Sequence, residues 1–65
     1  MNNGIYDIET CYNGGELESA LREAAAVVEK VLDNGGKIRQ VIAYLVNVND
    51  TSEGWYVDVV YEHKL

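Results

Sequence analysis

The chain contains no proline and no phenylalanine, and only one cysteine, Cys11. A single cysteine excludes an internal disulfide. With His63 as the only histidine, it also cannot build a four-ligand structural zinc site. No apolar run approaches the roughly 18 residues that a membrane-spanning helix needs. The opening MNNGIYDIET lacks a cationic region followed by an apolar run, so a secretory leader is not expected. A cytoplasmic location is the expectation, and a lone thiol suits a reducing compartment.

Positive charge is also scarce. Five lysines and arginines stand against eleven acids, a net charge of −6. Direct nucleic-acid binding calls for cations that neutralise phosphates. Docking on an anionic membrane has the same requirement. The balance excludes both in favour of a basic protein surface as partner, since interfaces tend to match in opposite sign. Solubility is the other use of such charge.

What is present is a chain of 65 residues with 48% hydrophobic content. That supports one packed domain, residues 1–65, rather than a disordered acidic tail. A domain this small buries only about 60% of the surface its unfolded chain exposes, so its core is marginal. Small domains often add a metal, a disulfide or a subunit interface. The first two are already excluded, which leaves a monomer with a well-packed core or a homodimer.

Residues 5–12, IYDIETCY, alternate as a strand. NGG at 13–15 breaks it, and Asn13 with Glu16 resembles a helix-capping box. Residues 16–33 carry helical periodicity through Leu17, Leu21, Ala24, Val28 and Val31, with Ala20, Val27 and Leu32 widening the stripe. Asn34-Gly35-Gly36 supplies the left-handed residue that ends a helix. Residues 37–48, KIRQVIAYLVNV, form the longest strand, apolar on both faces at its middle. NDTSEG at 49–54 is a turn, and GWYVDVVYEH at 54–63 is the last strand.

The order β-α-β-β implies an α+β fold: a three-stranded antiparallel sheet with one helix packed on one face. The preferred strand order is 1-3-2, which makes every neighbour antiparallel. A right-handed βαβ unit with the first two strands adjacent is the competitor.

A single helix covers one side of such a sheet. The covered side is expected to hold Tyr6, Ile8, Trp55, Val57, Val59 and Tyr61. The open side is then expected to hold Asp7, Glu9, Tyr56, Asp58, Val60 and Glu62, with Val41, Ala43 and Leu45 as an apolar patch. Residues two apart in a strand stand about 6.7 Å apart. Carboxylates at that interval approximate the spacing of successive phosphates. Asp7, Glu9, Tyr56, Asp58 and Glu62 are therefore the partner-binding candidates. The other reading is the ordinary polar outer face of an antiparallel sheet.

No reaction is expected, and no catalytic, metal or cofactor residues are assigned. Cys11 and His63 fall at opposite ends of antiparallel strands, too far apart for a thiolate–imidazole pair. Carboxylates need a concave, partly dry site to split their pKa values, which a flat sheet does not offer. NVNDTSEG lacks the ligand spacing of a calcium loop. NGG without a following Lys-Ser/Thr is no P-loop. Tyrosines on a sheet can stack bases, but such surfaces are basic and this one is acidic.

In length, β-α-β-β order, negative charge and want of a catalytic constellation, the chain resembles the small acidic anti-CRISPR proteins of phages and mobile elements. That group shares no diagnostic motif, so the resemblance transfers no individual residue. It implies a viral, non-enzymatic inhibitor in the host cytoplasm that acts as a DNA mimic. Such a protein would occupy the nucleic-acid-binding surface of a type I-like interference effector and block DNA binding. The chain also resembles the dodecins in length and element order, which implies a ligand-binding homo-oligomer that stacks flavin between aromatic rings. Dodecins carry the relevant tryptophan in the second strand, whereas Trp55 is in the third. A small subunit of a larger assembly is the remaining alternative.

Overall fold

The computed structural model describes residues 6–13, 16–48 and 52–63. The elements are β1 (Tyr6–Asn13), α1 (Leu17–Asp33), β2 (Lys37–Val48) and β3 (Ser52–Glu62). The sheet has the order β1-β3-β2 and both pairings are antiparallel. The fold is the expected α+β arrangement, with the 1-3-2 order rather than the adjacent parallel pair.

Helix α1 begins after Glu16, which holds an extended conformation and makes no side-chain cap bond to the backbone. The N-cap position falls on Glu16 rather than on the expected Asn13, whose backbone is still paired with Trp55 at the end of β1. At the other end, Gly35 adopts a φ of 83°. Its N–H donates to the Leu32 carbonyl, and the Gly36 N–H donates to the Val31 carbonyl. This pair of bonds is the Schellman arrangement, and it requires the left-handed residue that glycine supplies without strain.

The core lies between α1 and the middle of β3. Ala20 and Ala24 face Val57, Val59 and Cys11, and all five are buried. Two alanines at the contact let the helix approach the sheet closely. Val27, Val28, Ile38, Trp55 and Tyr61 pack around this centre. Leu21 and Leu32, expected on the apolar stripe, are exposed at 41% and 54%. The contact stripe therefore runs through the alanines, and the two leucines lie on its flanks.

A register shift between Ile38 and Gln40 inserts one extra residue into β2. A bulge of this kind reverses which side chains face which way beyond it. Ile38 pairs with Tyr61 on the helix side. After the bulge, Val41, Ala43 and Leu45 pair with Val59, Val57 and Trp55, so they too face the helix side.

Candidate functional site

The strand register decides what each face of the sheet carries. Residues paired across antiparallel strands project to the same side. Val57 pairs with Cys11, Val59 with Glu9, and Tyr61 with Asp7. Asp7 and Glu9 therefore lie on the helix side. Tyr6 pairs with Glu62, Ile8 with Val60, Thr10 with Asp58 and Tyr12 with Tyr56. These eight residues share the open face. β2 adds Ile42, Tyr44 and Val46 opposite Asp58, Tyr56 and Gly54.

This corrects the acidic surface expected from the sequence. Tyr56, Asp58 and Glu62 are on the open face as expected, but Asp7 and Glu9 are on the other side of the sheet. Tyr6 and Ile8 were expected under the helix and are open, 56% and 59% exposed. Val41, Ala43 and Leu45 were expected on the open face and lie on the helix side. They are exposed there because α1 sits over β3 and β1 rather than over the end of β2.

The open face is aromatic and electrically balanced. The Tyr12 and Tyr56 rings meet with centroids 4.7 Å apart, and Tyr44 stacks on Tyr56 at 5.6 Å with the planes only 10° apart. Tyr12 lies across Gly54, where a Cβ would stand 2.7 Å from the Tyr12 hydroxyl. Glycine at this position gives the ring its bed. Asp58 accepts hydrogen bonds from the Thr10 hydroxyl at 2.8 Å and from the Tyr44 hydroxyl at 3.2 Å. Glu62 pairs with Arg39 at 3.8 Å, and the Arg39 guanidinium reaches over the Tyr6 ring at 6.0 Å. Asp58 and Glu62 are matched in number on this face by Lys37 and Arg39.

The helix side carries the negative charge. Asp7 and Glu9 from β1 join Glu16, Glu18, Glu23, Glu29 and Asp33 from α1 and its start. Among the described side chains, Arg22 and Lys30 are the lysine and arginine on this side. A cleft of about 350 Å³ opens between α1 and the sheet here, with Glu9, Lys30, Val31, Asn34, Tyr61 and His63 on its walls. His63 Nε2 lies 3.3 Å from an Asp7 carboxylate oxygen, and its ring meets Tyr61 edge-on at 5.1 Å.

Two tyrosines ionise less readily than usual. Burial raises Tyr44 above the ordinary value of 10.0, and its hydrogen bond to the Asp58 carboxylate adds to the shift. Burial also raises Tyr61, with help from the Asp7 and Glu9 charges. The Cys11 thiol is raised by burial first, then by Glu23, Glu9 and Asp58. A thiol held protonated among carboxylates is the opposite of an activated nucleophile. Cys11 pairs with Val57, six residues along β3 from His63, on the order of 20 Å at the strand rise. The two do not meet.

Among the described residues, no group of three or more His, Cys, Asp or Glu side chains is arranged to hold a metal ion. No helix among them is long and apolar enough to cross a membrane. No family model, curated protein or solved structure matches this chain.

Sequence reasoning found Tyr56, Asp58 and Glu62 but missed Tyr6, Ile8, Tyr12, Ile42 and Tyr44 as members of the same face. For β1 the alternation was clear and only the choice of side was missing. Whether Tyr6, Ile8 and Tyr12 or Asp7, Glu9 and Cys11 go under the helix depends on pairing with β3. Cys11 and the two helix alanines favour close approach, and that is the signal that pointed the right way.

Proposed function

We propose that this chain is a non-enzymatic binding protein. It inhibits a nucleic-acid-binding effector of a host defence system, of the type I interference kind, by occupying its basic surface. The observation that carries this reading is the segregation of charge. Seven of the eleven acids stand on the helix side against Arg22 and Lys30, while the open face balances its own charges.

The contact surface differs from the one expected from sequence. Asp7 and Glu9 belong to it, together with the exposed acids of α1, such as Glu29 and Asp33. Tyr56, Asp58 and Glu62 do not, because Asp58 and Glu62 face the other way and are engaged on the open face. Segregated charge of one sign steers association with an oppositely charged partner and makes that association sensitive to salt.

The test is competition for DNA. A purified type I interference complex is bound to labelled duplex DNA and titrated with the chain. The expected result is stoichiometric loss of DNA binding, relieved by added salt. A quadruple variant, Asp7→Asn, Glu9→Gln, Glu29→Gln and Asp33→Asn, should inhibit much more weakly. Equal inhibition by that variant, or no competition by the wild-type chain, refutes the reading.

A further inference from the structure

The open face of the sheet is left without cover by the single helix, and it holds the exposed Tyr6, Ile8, Tyr12, Ile42 and Tyr44. We infer that it is the interface of a homodimer, in which two copies pack their open faces together around Tyr12, Tyr44, Tyr56, Ile8, Ile42 and Val60. The acidic helix layers then point outward on both sides. This inference goes beyond the proposed inhibitory role and does not depend on it.

Three observations select a second copy as the occupant. The first is shape. The chain has a radius of gyration of 13.5 Å, whereas a compact domain of its length is expected near 11 Å. It is a thin plate, 11 Å along its shortest axis. A second sheet packed about 10 Å away turns two plates into one four-layer body, helix–sheet–sheet–helix.

The second is charge. In a two-fold interface each patch meets its own copy, so any net charge on it meets the same sign. The open face satisfies this condition. Glu62 is paired with Arg39, and Asp58 is held by Thr10 and Tyr44. Among the described residues, the surplus negative charge lies on the helix side, where it keeps a dimer soluble. An acidic or basic partner would call for a charged face, and this face is balanced.

The third is area. Strands of 8 to 12 residues at about 3.4 Å per residue and about 4.8 Å apart give a face of roughly 400–550 Å² in projection. Side-chain relief raises the accessible area toward the roughly 600–1,000 Å² per partner of a standard interface. Tyrosine is enriched at such interfaces, and isoleucine and valine fill the space between the rings. The Ile8 N–H on β1 already donates to the Asp7 side chain at 3.0 Å. That leaves the β1 edge a poorer template for strand addition than the face is for packing.

Sedimentation velocity of the full chain across the micromolar range tests this. The expected result is a reversible dimer with the mass of two chains. Ile8→Arg and Ile42→Glu, at positions 59% and 40% exposed in the single chain, should each raise the dissociation constant more than about tenfold. Far-UV circular dichroism checks that each stays folded, and two independent sites guard against one variant failing. Leu45→Lys, exposed on the helix side of β2, should leave the dimer intact. A wild-type chain that stays monomeric at high micromolar concentration overturns the inference. So does a dimer that survives both open-face variants, or one broken by Leu45→Lys, which would place the contact at the β2 edge. Competition for DNA reads the helix side separately, so failure of either idea is distinguishable from failure of the other.

Discussion

The two faces of this sheet are built from the same three strands, yet they differ in almost every physical respect. The helix side has small residues at its centre, Ala20, Ala24, Val57 and Val59, all at or near full burial. It is ringed by carboxylates. The open side has large rings and branched side chains at its centre, left in contact with solvent, and its few charges are matched. One face is closed by the chain itself. The other is finished in residue type but not in cover, and that contrast is what makes it a candidate interface rather than a solvated back.

The sharpest way to test the comparison is to place the same change on each face. Val59→Asp puts a carboxylate into a site with no solvent access and with Glu9 as its cross-strand neighbour. The cost of an unpaired buried charge exceeds the roughly 3–5 kcal/mol that a core of this size supplies, so the chain should be unfolded by circular dichroism. Ile8→Asp on the open face should keep a cooperative fold, with stability changed by less than about 1 kcal/mol in urea titrations at low concentration. Equal destabilisation by the two would mean that the open face is part of the monomer's core.

The glycines sharpen the same contrast at smaller scale. A Cβ at Gly36 would stand 2.8 Å from the Glu62 carbonyl oxygen and 2.8 Å from a Val31 methyl. Backbone and a buried valine cannot give way there, so Gly36→Ala should cost about 1–3 kcal/mol. The nearest atoms to a Cβ at Gly54 are those of the Tyr12 ring, the far end of a half-exposed side chain. Gly54→Ala should cost less than about 1 kcal/mol. It should also erase the near-UV signature of the Tyr12–Tyr56 contact, which Gly36→Ala leaves in place.

Much of the architecture was legible in the sequence. The β2 boundaries, the Asn34-Gly35-Gly36 stop and the 1-3-2 order all follow from local periodicity, turn chemistry and the requirement for antiparallel neighbours. The candidate site was only half legible. In β3 the Trp55–Val57–Val59–Tyr61 side is plainly more apolar than the alternate residues, and it was assigned correctly. In β1 both sides carry apolar and polar residues, Tyr6, Ile8, Thr10 and Tyr12 against Asp7, Glu9 and Cys11. Side-chain size alone pointed the wrong way, since the contact centred on Ala20 and Ala24 takes the small Cys11 at its middle. In β2 the bulge near Arg39 moves Val41, Ala43 and Leu45 onto the side of Ile38, and nothing in a two-residue period announces an extra residue.

Ionisation separates the faces without any change in packing. Tyr44 on the open side is held protonated by burial and by its bond to Asp58. Tyr61 on the helix side is held protonated by burial and by Asp7 and Glu9. Both are harder to ionise folded than unfolded. Their contribution to stability is therefore intact below pH 10, where free tyrosine is neutral, and is lost as pH rises past it. Asp58→Asn should lower the Tyr44 titration toward the ordinary value and leave Tyr61 alone. Asp7→Asn with Glu9→Gln should do the reverse. Ultraviolet difference absorbance across alkaline pH reads both. A single shift common to the two variants would mean that the sheet does not insulate its faces.

The smallest expected effect compares two exposed side-chain pairs. His63 and Asp7 meet at 3.3 Å on the helix side, with side chains 43% and 58% exposed. Arg39 and Glu62 meet at 3.8 Å on the open side, with Glu62 more sheltered at 23%. Exposed pairs contribute about 0–1 kcal/mol, with the lower end for the more solvated one. His63→Ala should therefore be near neutral in urea denaturation at neutral pH. Glu62→Gln should cost a few tenths of a kcal/mol in the single chain. In the dimer the order should widen, because Glu62 then loses its remaining water while His63 and Asp7 stay outside. Removing one partner of a desolvated pair leaves the other charge without compensation. Stability of Glu62→Gln measured at low and at high protein concentration checks this. A difference from wild type that does not grow with concentration would place Glu62 outside the interface and confine the contact to the aromatic end of the face, around Tyr12, Tyr44 and Tyr56.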